Sequence, residues 1–137
     1  MTSTPPVLVV DASALVDAVL HPGAIGEGAR GLIGSARCHA PHLIDAEVGS
    51  VLRRLVLRSE LRPEMAETRL RQAGDLIDVR HEMGGAVALA AWRLRDDVTF
   101  YDALYVALAA ALRRPLLTSD QRLAASARRH CEVITLT

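Results

Sequence analysis

The chain has 137 residues, half of them apolar, and its sixteen basic residues balance sixteen acidic ones. This size and apolar content predict a single compact domain over residues 1–137. All sixteen basic residues are Arg, which excludes mechanisms that need a Lys, such as phosphate-loop nucleotide hydrolysis and Schiff-base chemistry. No apolar run reaches the roughly 20 residues that cross a bilayer, and no signal peptide is recognisable. We therefore expect a cytoplasmic protein with no membrane association.

Short β-rich runs alternate with helical segments along the whole chain. The predicted elements are strand 7–10, helix 12–20, helix 26–35, strand 37–40, helix 43–58, helix 63–75, strand 76–80, helix 84–95, helix 100–113, strand 115–118, helix 120–129 and strand 131–136. Such alternation is typical of an α/β domain with a mostly parallel sheet.

Three aspartates lie where predicted helices begin. Asp11 follows the first strand in VLVVDASALVDAVL, Asp102 opens the helix of VTFYDALYVALAAAL, and Asp120 follows the fourth strand in LLTSDQRL. Each could simply cap its helix, and Thr99 with Asp102 has the spacing of a capping box. Carboxylates at the carboxyl ends of parallel strands also lie where open α/β sheets place their active sites.

The three aspartates together favour the second explanation. Segment 103–112 is apolar on every side, which indicates a buried helix with Asp102 at its mouth. Burial raises the pKa of a carboxylate unless a cation compensates it, and several carboxylates at one sheet edge repel one another. Oxygen ligands select a hard divalent ion, so this pattern predicts Mg²⁺ or Mn²⁺.

The predicted helix 43–58 offers two further acids. Its core stripe is formed by Ile44, Val48, Val51, Leu52 and Leu55. Asp45 and Glu47 flank that stripe on opposite sides, each roughly 80° from its centre. Either could lean over the sheet edge, and either could be a solvated border residue.

Four segments, VVDASALVDAVL, LIDAEVGSVL, TFYDALYVALA and LLTSDQRL, resemble in their order and spacing the PIN-domain ribonucleases, specifically the VapC toxins of bacterial toxin–antitoxin pairs. The resemblance spans nearly the whole chain. It implies a three-layer α/β/α PIN-like fold with a central parallel sheet of about five strands in the order 3-2-1-4-5. In that order strands 1 and 4 are neighbours, so Asp11 and Asp120 would end adjacent strands at the point where the chain reverses direction.

The resemblance also implies the site residues. It resolves the choice in helix 43–58 toward Glu47, and it adds two small hydroxyl residues that support the acids or their waters. The implied catalytic and metal-binding acids are Asp11, Glu47, Asp102 and Asp120, and the supporting hydroxyls are those of Ser13 and Thr118.

The resemblance implies an endoribonuclease that depends on Mg²⁺, with Mn²⁺ able to substitute, and that cleaves single-stranded or looped RNA by means of a metal-activated water. It also implies a toxin of a type II module, paired with a VapB-like antitoxin and forming a homodimer. Two alternatives stay open at this point. One is a phosphatase or phosphotransfer domain with Asp11 as nucleophile, although acidic pockets of that kind usually include a Lys. The other is a catalytically inactive interaction module whose acids only cap helices.

Overall fold

The computed structural model describes residues 4–136, and this range contains five strands and seven helices. In chain order they are β1 (Val7–Val10), α1 (Ala12–Leu20), α2 (Ala24–Gly34), β2 (Arg37–Pro41), α3 (Leu43–Leu57), α4 (Pro63–Leu76), β3 (Val79–His81), α5 (Ala86–Trp92), α6 (Phe100–Leu112), β4 (Leu116–Thr118), α7 (Gln121–Ala127) and β5 (Val133–Thr135). None of the helices in this range is long and apolar enough to cross a membrane.

All strands of the sheet run parallel, in the order β3-β2-β1-β4-β5. This confirms the predicted α/β class and the strand order 3-2-1-4-5. The central position of β1 explains its unbroken apolar sequence, because a strand covered on both faces has no solvated side. The sheet order reverses between β1 and β4, where the backbone N–H of Asp11 donates to the carbonyl of Leu117 at 3.1 Å. The residues that follow these two strands therefore share one crevice.

The helices form a layer on each face of the sheet. Because crossovers between parallel strands are right-handed as a rule, the strand order assigns α1 to α4 to one face and α5 to α7 to the other. In agreement, α1 packs against α2, α3 and α4, while α5 packs against α6. Residues 103–109 of α6 are all buried, as the apolar run predicts. In the described range the only buried polar or charged residues are Asp11 and Thr118, and both lie at the carboxyl edge of the sheet.

The third strand differs from its predicted bounds. Residue 76, predicted to begin a strand, ends α4 instead, and β3 covers only Val79–His81. The Arg80 guanidinium donates to the carbonyls of Gly74 at 3.1 Å and Ile77 at 3.5 Å. These carbonyls lie at the end of α4 and lack helical partners, so a side chain from the following strand stabilises the longer helix.

The fifth helix is shorter than predicted and begins after Gly85, whose φ of +64° suits a residue without a Cβ. It ends at Trp92, and a series of turns rather than helix leads to α6. A run of Ala residues favours helix but contains no strong signal for where the helix ends.

Candidate active site

Asp11 is the most buried of the candidate acids, with 4 % of its surface exposed. It caps α1, because Oδ1 accepts the backbone N–H of Ala14 at 2.9 Å. The same oxygen accepts the Ser13 hydroxyl at 2.6 Å, and Oδ2 accepts the hydroxyl of Thr118. Burial raises the pKa of Asp11 from 3.8 to about 6, although these hydrogen bonds oppose the shift.

The two hydroxyl groups have fixed roles in this arrangement. Ser13 Oγ accepts the backbone N–H of Ser119 at 3.1 Å, and Thr118 Oγ1 accepts that of Asp120 at 3.0 Å. A hydroxyl has only one hydrogen, and each hydroxyl gives it to Asp11. The 3.2 Å approach between the two hydroxyl oxygens therefore carries no hydrogen bond while Asp11 is ionised. Both hydroxyls favour the carboxylate form of Asp11.

Glu47 lies on α3 and is held by a side chain from α6. The Tyr105 hydroxyl donates to Glu47 Oε1 at 2.5 Å, and Tyr105 is only 1 % exposed. Burial raises the pKa of Glu47, the Tyr105 bond lowers it, and the negative charge of Asp102 raises it again. Burial and the nearby Glu47 carboxylate raise the pKa of Tyr105 far above its ordinary value, so this hydroxyl stays protonated. The bond fixes one oxygen of Glu47 and leaves Oε2 without a protein donor among residues 4–136.

Asp102 is electrostatically central to the group. Its charge raises the pKa of both Asp11 and Glu47. Burial raises the pKa of Asp102 itself, a side-chain hydrogen bond with Thr99 lowers it, and the charge of Asp120 raises it. Thr99 caps α6, since its hydroxyl accepts the backbone N–H of Asp102 at 3.3 Å. Within the described range, the reciprocal bond of a capping box, from the Thr99 N–H to the Asp102 carboxylate, is not formed. The Asp102 carboxylate is thus influenced both by the Thr99 side chain at the helix start and by the charge of Asp120.

Asp120 caps α7 and also borders the acidic group. Its Oδ1 accepts the backbone N–H groups of Arg122 at 3.0 Å and Leu123 at 3.1 Å. Asp102 and Asp120 line one cleft of about 250 Å³. Capping and membership of the acidic group are thus compatible, because one carboxylate oxygen can cap a helix while the other remains available.

Asp45, the other acid considered on α3, has a different environment. Arg80 binds it with two hydrogen bonds, at 2.6 Å from Nε and 2.9 Å from Nη2. The hydrogen bond from Arg80 holds the pKa of Asp45 below its usual range. The structure therefore places Asp45 in an ion pair and Glu47 beside the other acids.

The donor chemistry of the four acids fits a hard divalent cation. Across residues 4–136, no Arg or His forms an ion pair with any of them, and the charge of Asp102 acts on two of the others. In the side-chain conformations seen in this range, no three acidic, His or Cys side chains lie close enough together to hold one ion. The fit rests on oxygen ligands and uncompensated charge rather than on a preformed coordination shell.

The role of Tyr105 toward Glu47 was not predicted from the sequence. Helical spacing alone places Tyr105 near Asp102, because the two are three residues apart on one helix. Its bond to Glu47 joins residues 58 apart in sequence. The only available signal was a hydroxyl-bearing residue inside an otherwise apolar helix, since such a group requires a partner when it is buried.

Comparison with known proteins agrees with this geometry. The family model described as "PIN domain" matches residues 8–129, so the chain belongs to the PIN-domain family and, within it, to the VapC proteins. It is 50 % identical over 125 residues to Ribonuclease VapC1 of Mycobacterium tuberculosis, covering 91 % of this chain and 94 % of that protein. It is 39 % identical over 126 residues to Ribonuclease VapC9 of the same species, covering 92 % and 95 %.

A solved structure supports the fold independently of close sequence identity. The crystal structure of DNA-bound VapBC from Salmonella typhimurium contains a chain that superposes with a TM-score of 0.72 at 12 % identity. The match covers 96 % of this chain and 99 % of that one. At this identity the likeness concerns the fold alone.

Proposed function

We propose that this protein is a metal-dependent endoribonuclease and the toxin of a type II toxin–antitoxin module. The observation that carries the proposal is a group of four carboxylates near the carboxyl edge of the sheet, with Asp102 raising the pKa of two others and no cation from residues 4–136 paired with any. Such a group is costly to fold, and a binding module would gain nothing from it. The names of the similar M. tuberculosis proteins, both ribonucleases, support the same activity.

Asp11, Glu47, Asp102 and Asp120 would hold Mg²⁺, and Mn²⁺ would substitute for it because both are hard ions that accept oxygen ligands. When bound, such an ion lowers the pKa of a coordinated water and stabilises negative charge on the leaving oxygen during phosphodiester hydrolysis.

Hydroxyl groups of the protein orient the carboxylates that would bind the metal and influence their ionisation. Ser13 and Thr118 favour the ionised form of Asp11 and fix the plane of its carboxylate by donating to opposite oxygens. Tyr105 fixes Oε1 of Glu47 and leaves Oε2 free of protein donors in the described range. Hydrogen bonds of this kind orient metal ligands and strengthen binding.

The proposed substrate is single-stranded or looped RNA. The acids lie at a sheet edge flanked by open clefts, which an unpaired strand can enter more readily than a rigid duplex. Phosphates next to the cleavage site need cations from the protein, and Arg is the only permanently charged cationic side chain in this sequence.

The proposal includes a VapB-like antitoxin as partner, self-association as a homodimer, a cytoplasmic location and a single domain over residues 1–137, of which residues 1–3 and 137 lie outside the described range. Structural relatives are VapBC complexes, which supports the partner. Leu89 and Trp92 are exposed apolar side chains on α5 and supply surface for self-association.

The test is cleavage of RNA by the purified protein. We expect cleavage in Mg²⁺ and Mn²⁺, none in EDTA, and none by the Asp11→Asn variant in either metal. We also expect expression in a bacterial host to arrest growth, and co-expression with the product of an adjacent upstream gene to restore it. Hydrolysis of a phosphomonoester with RNA left intact would favour a phosphatase, and inertness toward both would favour an interaction module.

A further inference from the structure

A second cleft, of about 390 Å³, adjoins the acidic group on the side of Glu47. It runs between α3 and the start of α6. Its lining combines an apolar floor with a carboxylate, an Arg and an aromatic ring, and the residues that matter here are Leu43, Val51, Glu47, Ser50, Arg54 and Tyr101. This volume lies within the range of about 300–1,000 Å³ that small-molecule sites occupy.

Tyr101 presents its ring to solvent at the rim of this cleft. It is 63 % exposed, although it directly precedes Asp102 in the candidate active site. Exposed rings offer a flat surface on which a nucleobase can stack, whatever the base, because every base has a π-face. Tyr101 is therefore placed to hold an unpaired base beside the acids.

Arg54 supplies the positive charge in the same cleft. It lies seven residues after Glu47 on α3, or roughly 10 Å along the helix axis. Among residues 4–136 no acidic side chain forms an ion pair with it. An unpaired guanidinium next to a group of carboxylates suits a phosphate, whose approach the acids would otherwise oppose.

We propose that this cleft binds one nucleotide of the RNA strand next to the cleaved phosphodiester, with Tyr101 stacked on the base and Arg54 bound to a phosphate. This nucleotide site rests on the proposed function, and it adds the position of the RNA strand beside the acids. An apolar partner segment fits less well, because it would leave Arg54 without a counter-charge. The cleft shares Glu47 with the acidic group, which also favours the RNA substrate as its occupant.

The experiment measures binding of a fluorescently labelled, randomised single-stranded RNA to the Asp11→Asn protein in Mg²⁺, alongside cleavage by the wild-type chain. Tyr101→Ala and Tyr101→Phe are introduced into the Asp11→Asn background, and so are Arg54→Ala and Arg54→Lys. Two matched controls lie outside the cleft: Arg53→Ala, at the neighbouring exposed Arg, and Leu70→Ala, at an apolar side chain on α4 that is 41 % exposed. Trp92→Ala, on the proposed self-association surface, is measured beside them to detect an effect of dimerisation.

We expect Tyr101→Ala to weaken RNA binding by about tenfold or more and Tyr101→Phe to bind like its parent, because the stacking face is kept. Arg54→Ala should weaken binding and lower the slope of log K against log salt by about 0.7, the value for one phosphate contact on a single strand. Arg54→Lys should keep most of that slope. Both controls should bind like the Asp11→Asn parent.

Three results would overturn the nucleotide site. In the first, wild type cleaves RNA but the cleft variants bind like the controls, which leaves the proposed function intact. In the second, Tyr101→Ala and Trp92→Ala weaken RNA binding equally while both shift the sedimentation of the protein to a smaller species, which assigns the surface to a second copy of the chain. In the third, wild type leaves RNA uncut and the parent does not bind it, and the proposed function then fails as well.

Discussion

Two acids on the same helix, two residues apart, have opposite environments. Asp45 binds the Arg80 guanidinium through both oxygens, and its pKa is lowered. Glu47 is more buried and has a raised pKa, and its only donor in the part of the chain that the structure describes is the neutral Tyr105 hydroxyl. At 100° per residue the two side chains lie about 160° apart around the helix axis. The hydrogen-bond partner, rather than the residue type, decides whether each carboxylate is stabilised by an ion pair or keeps an uncompensated charge.

The two environments serve different parts of the molecule. On the Asp45 side, Arg80 joins α3, the end of α4 and β3 through one carboxylate and two carbonyls. On the Glu47 side, the charge of Asp102 acts on Asp11 and Glu47, the charge of Asp120 acts on Asp102, and no cation pairs with these acids in the described range. An acid paired with Arg adds stability, while unpaired acids reduce stability until a cation binds. Changes at the two sides should therefore have opposite effects on activity and stability.

Asp102→Asn should have the largest effect. Removing the central charge should reduce RNA cleavage by more than about 100-fold, since even residues that only support metal ligands contribute about 10–100-fold. The melting temperature in EDTA should be unchanged or raised, because the variant relieves repulsion on Asp11 and Glu47. Cleavage assays and thermal unfolding measure the two effects. A marked loss of stability with cleavage retained would instead identify Asp102 as a helix cap.

Asp11 should make the stability of the metal-free protein depend on pH. Its pKa in the folded chain is about 6 rather than 3.8, so between these values the folded state binds more protons than the unfolded state. Its contribution to stability is complete below about pH 4 and is lost as pH rises through 6. The difference of about 2 between the folded and unfolded pKa values corresponds to a loss of unfolding free energy on the order of 3 kcal/mol.

Urea unfolding in EDTA from about pH 4 to pH 7 measures this loss. The Asp11→Asn variant is the control, and its stability should fall less over the same interval because Asn does not titrate. The account of Asp11 is wrong if the wild type and this variant show parallel curves.

Tyr105→Phe should weaken metal binding through Glu47 without removing a ligand. We expect the Mn²⁺ concentration for half-maximal cleavage to rise by about tenfold, the lower end of the effect of residues that orient ligands. The rate at saturating Mn²⁺ should stay close to that of the wild type. Tyr101→Phe, which removes an exposed hydroxyl on the same helix, is the matched control. An unchanged metal requirement in Tyr105→Phe would make the bond to Glu47 purely structural.

Asp45→Asn should have the smallest effect and the opposite character. It removes the charge that Arg80 binds, and we expect the free energy of unfolding to fall by about 1 kcal/mol, since the pair is partly exposed. Cleavage should stay near the wild-type rate. Arg71→Ala, which breaks the more exposed pair with Glu67, should cost less. A loss of activity like that of Asp102→Asn would show that Asp45 belongs to the acidic group.

Much of the fold follows from the sequence because its signals are local. The buried run before Asp11 and the apolar segment 103–112 predict a central strand and a buried helix, and both are present. The start of β3 was not predictable in the same way. It depends on Arg80 reaching back to carbonyls of α4, a contact that exists only after the sheet has formed.

The candidate site also has residues with a local sequence signal and residues without one. Helix starts after strands identify Asp11 and Asp120 as residues of the sheet edge, since chain order and strand direction are enough to place them. Helical periodicity could not choose between Asp45 and Glu47, because both flank the core stripe. The structure separates them through Arg80 and Tyr105, which are 35 and 58 residues away in sequence. Pairing over such distances has no local signal in a single sequence.

The acidic group should bind a divalent cation through charge that the described part of the fold leaves uncompensated. Thermal unfolding of metal-free protein titrated with Mn²⁺ tests it directly, because a ligand that binds only the folded state raises the melting temperature. We predict a rise of several degrees for the wild type and for Asp45→Asn, and little or none for Asp102→Asn. Cation binding by the acidic group would be contradicted by a wild-type melting temperature that does not respond to Mn²⁺, or by an Asp102→Asn variant that responds as strongly as the wild type.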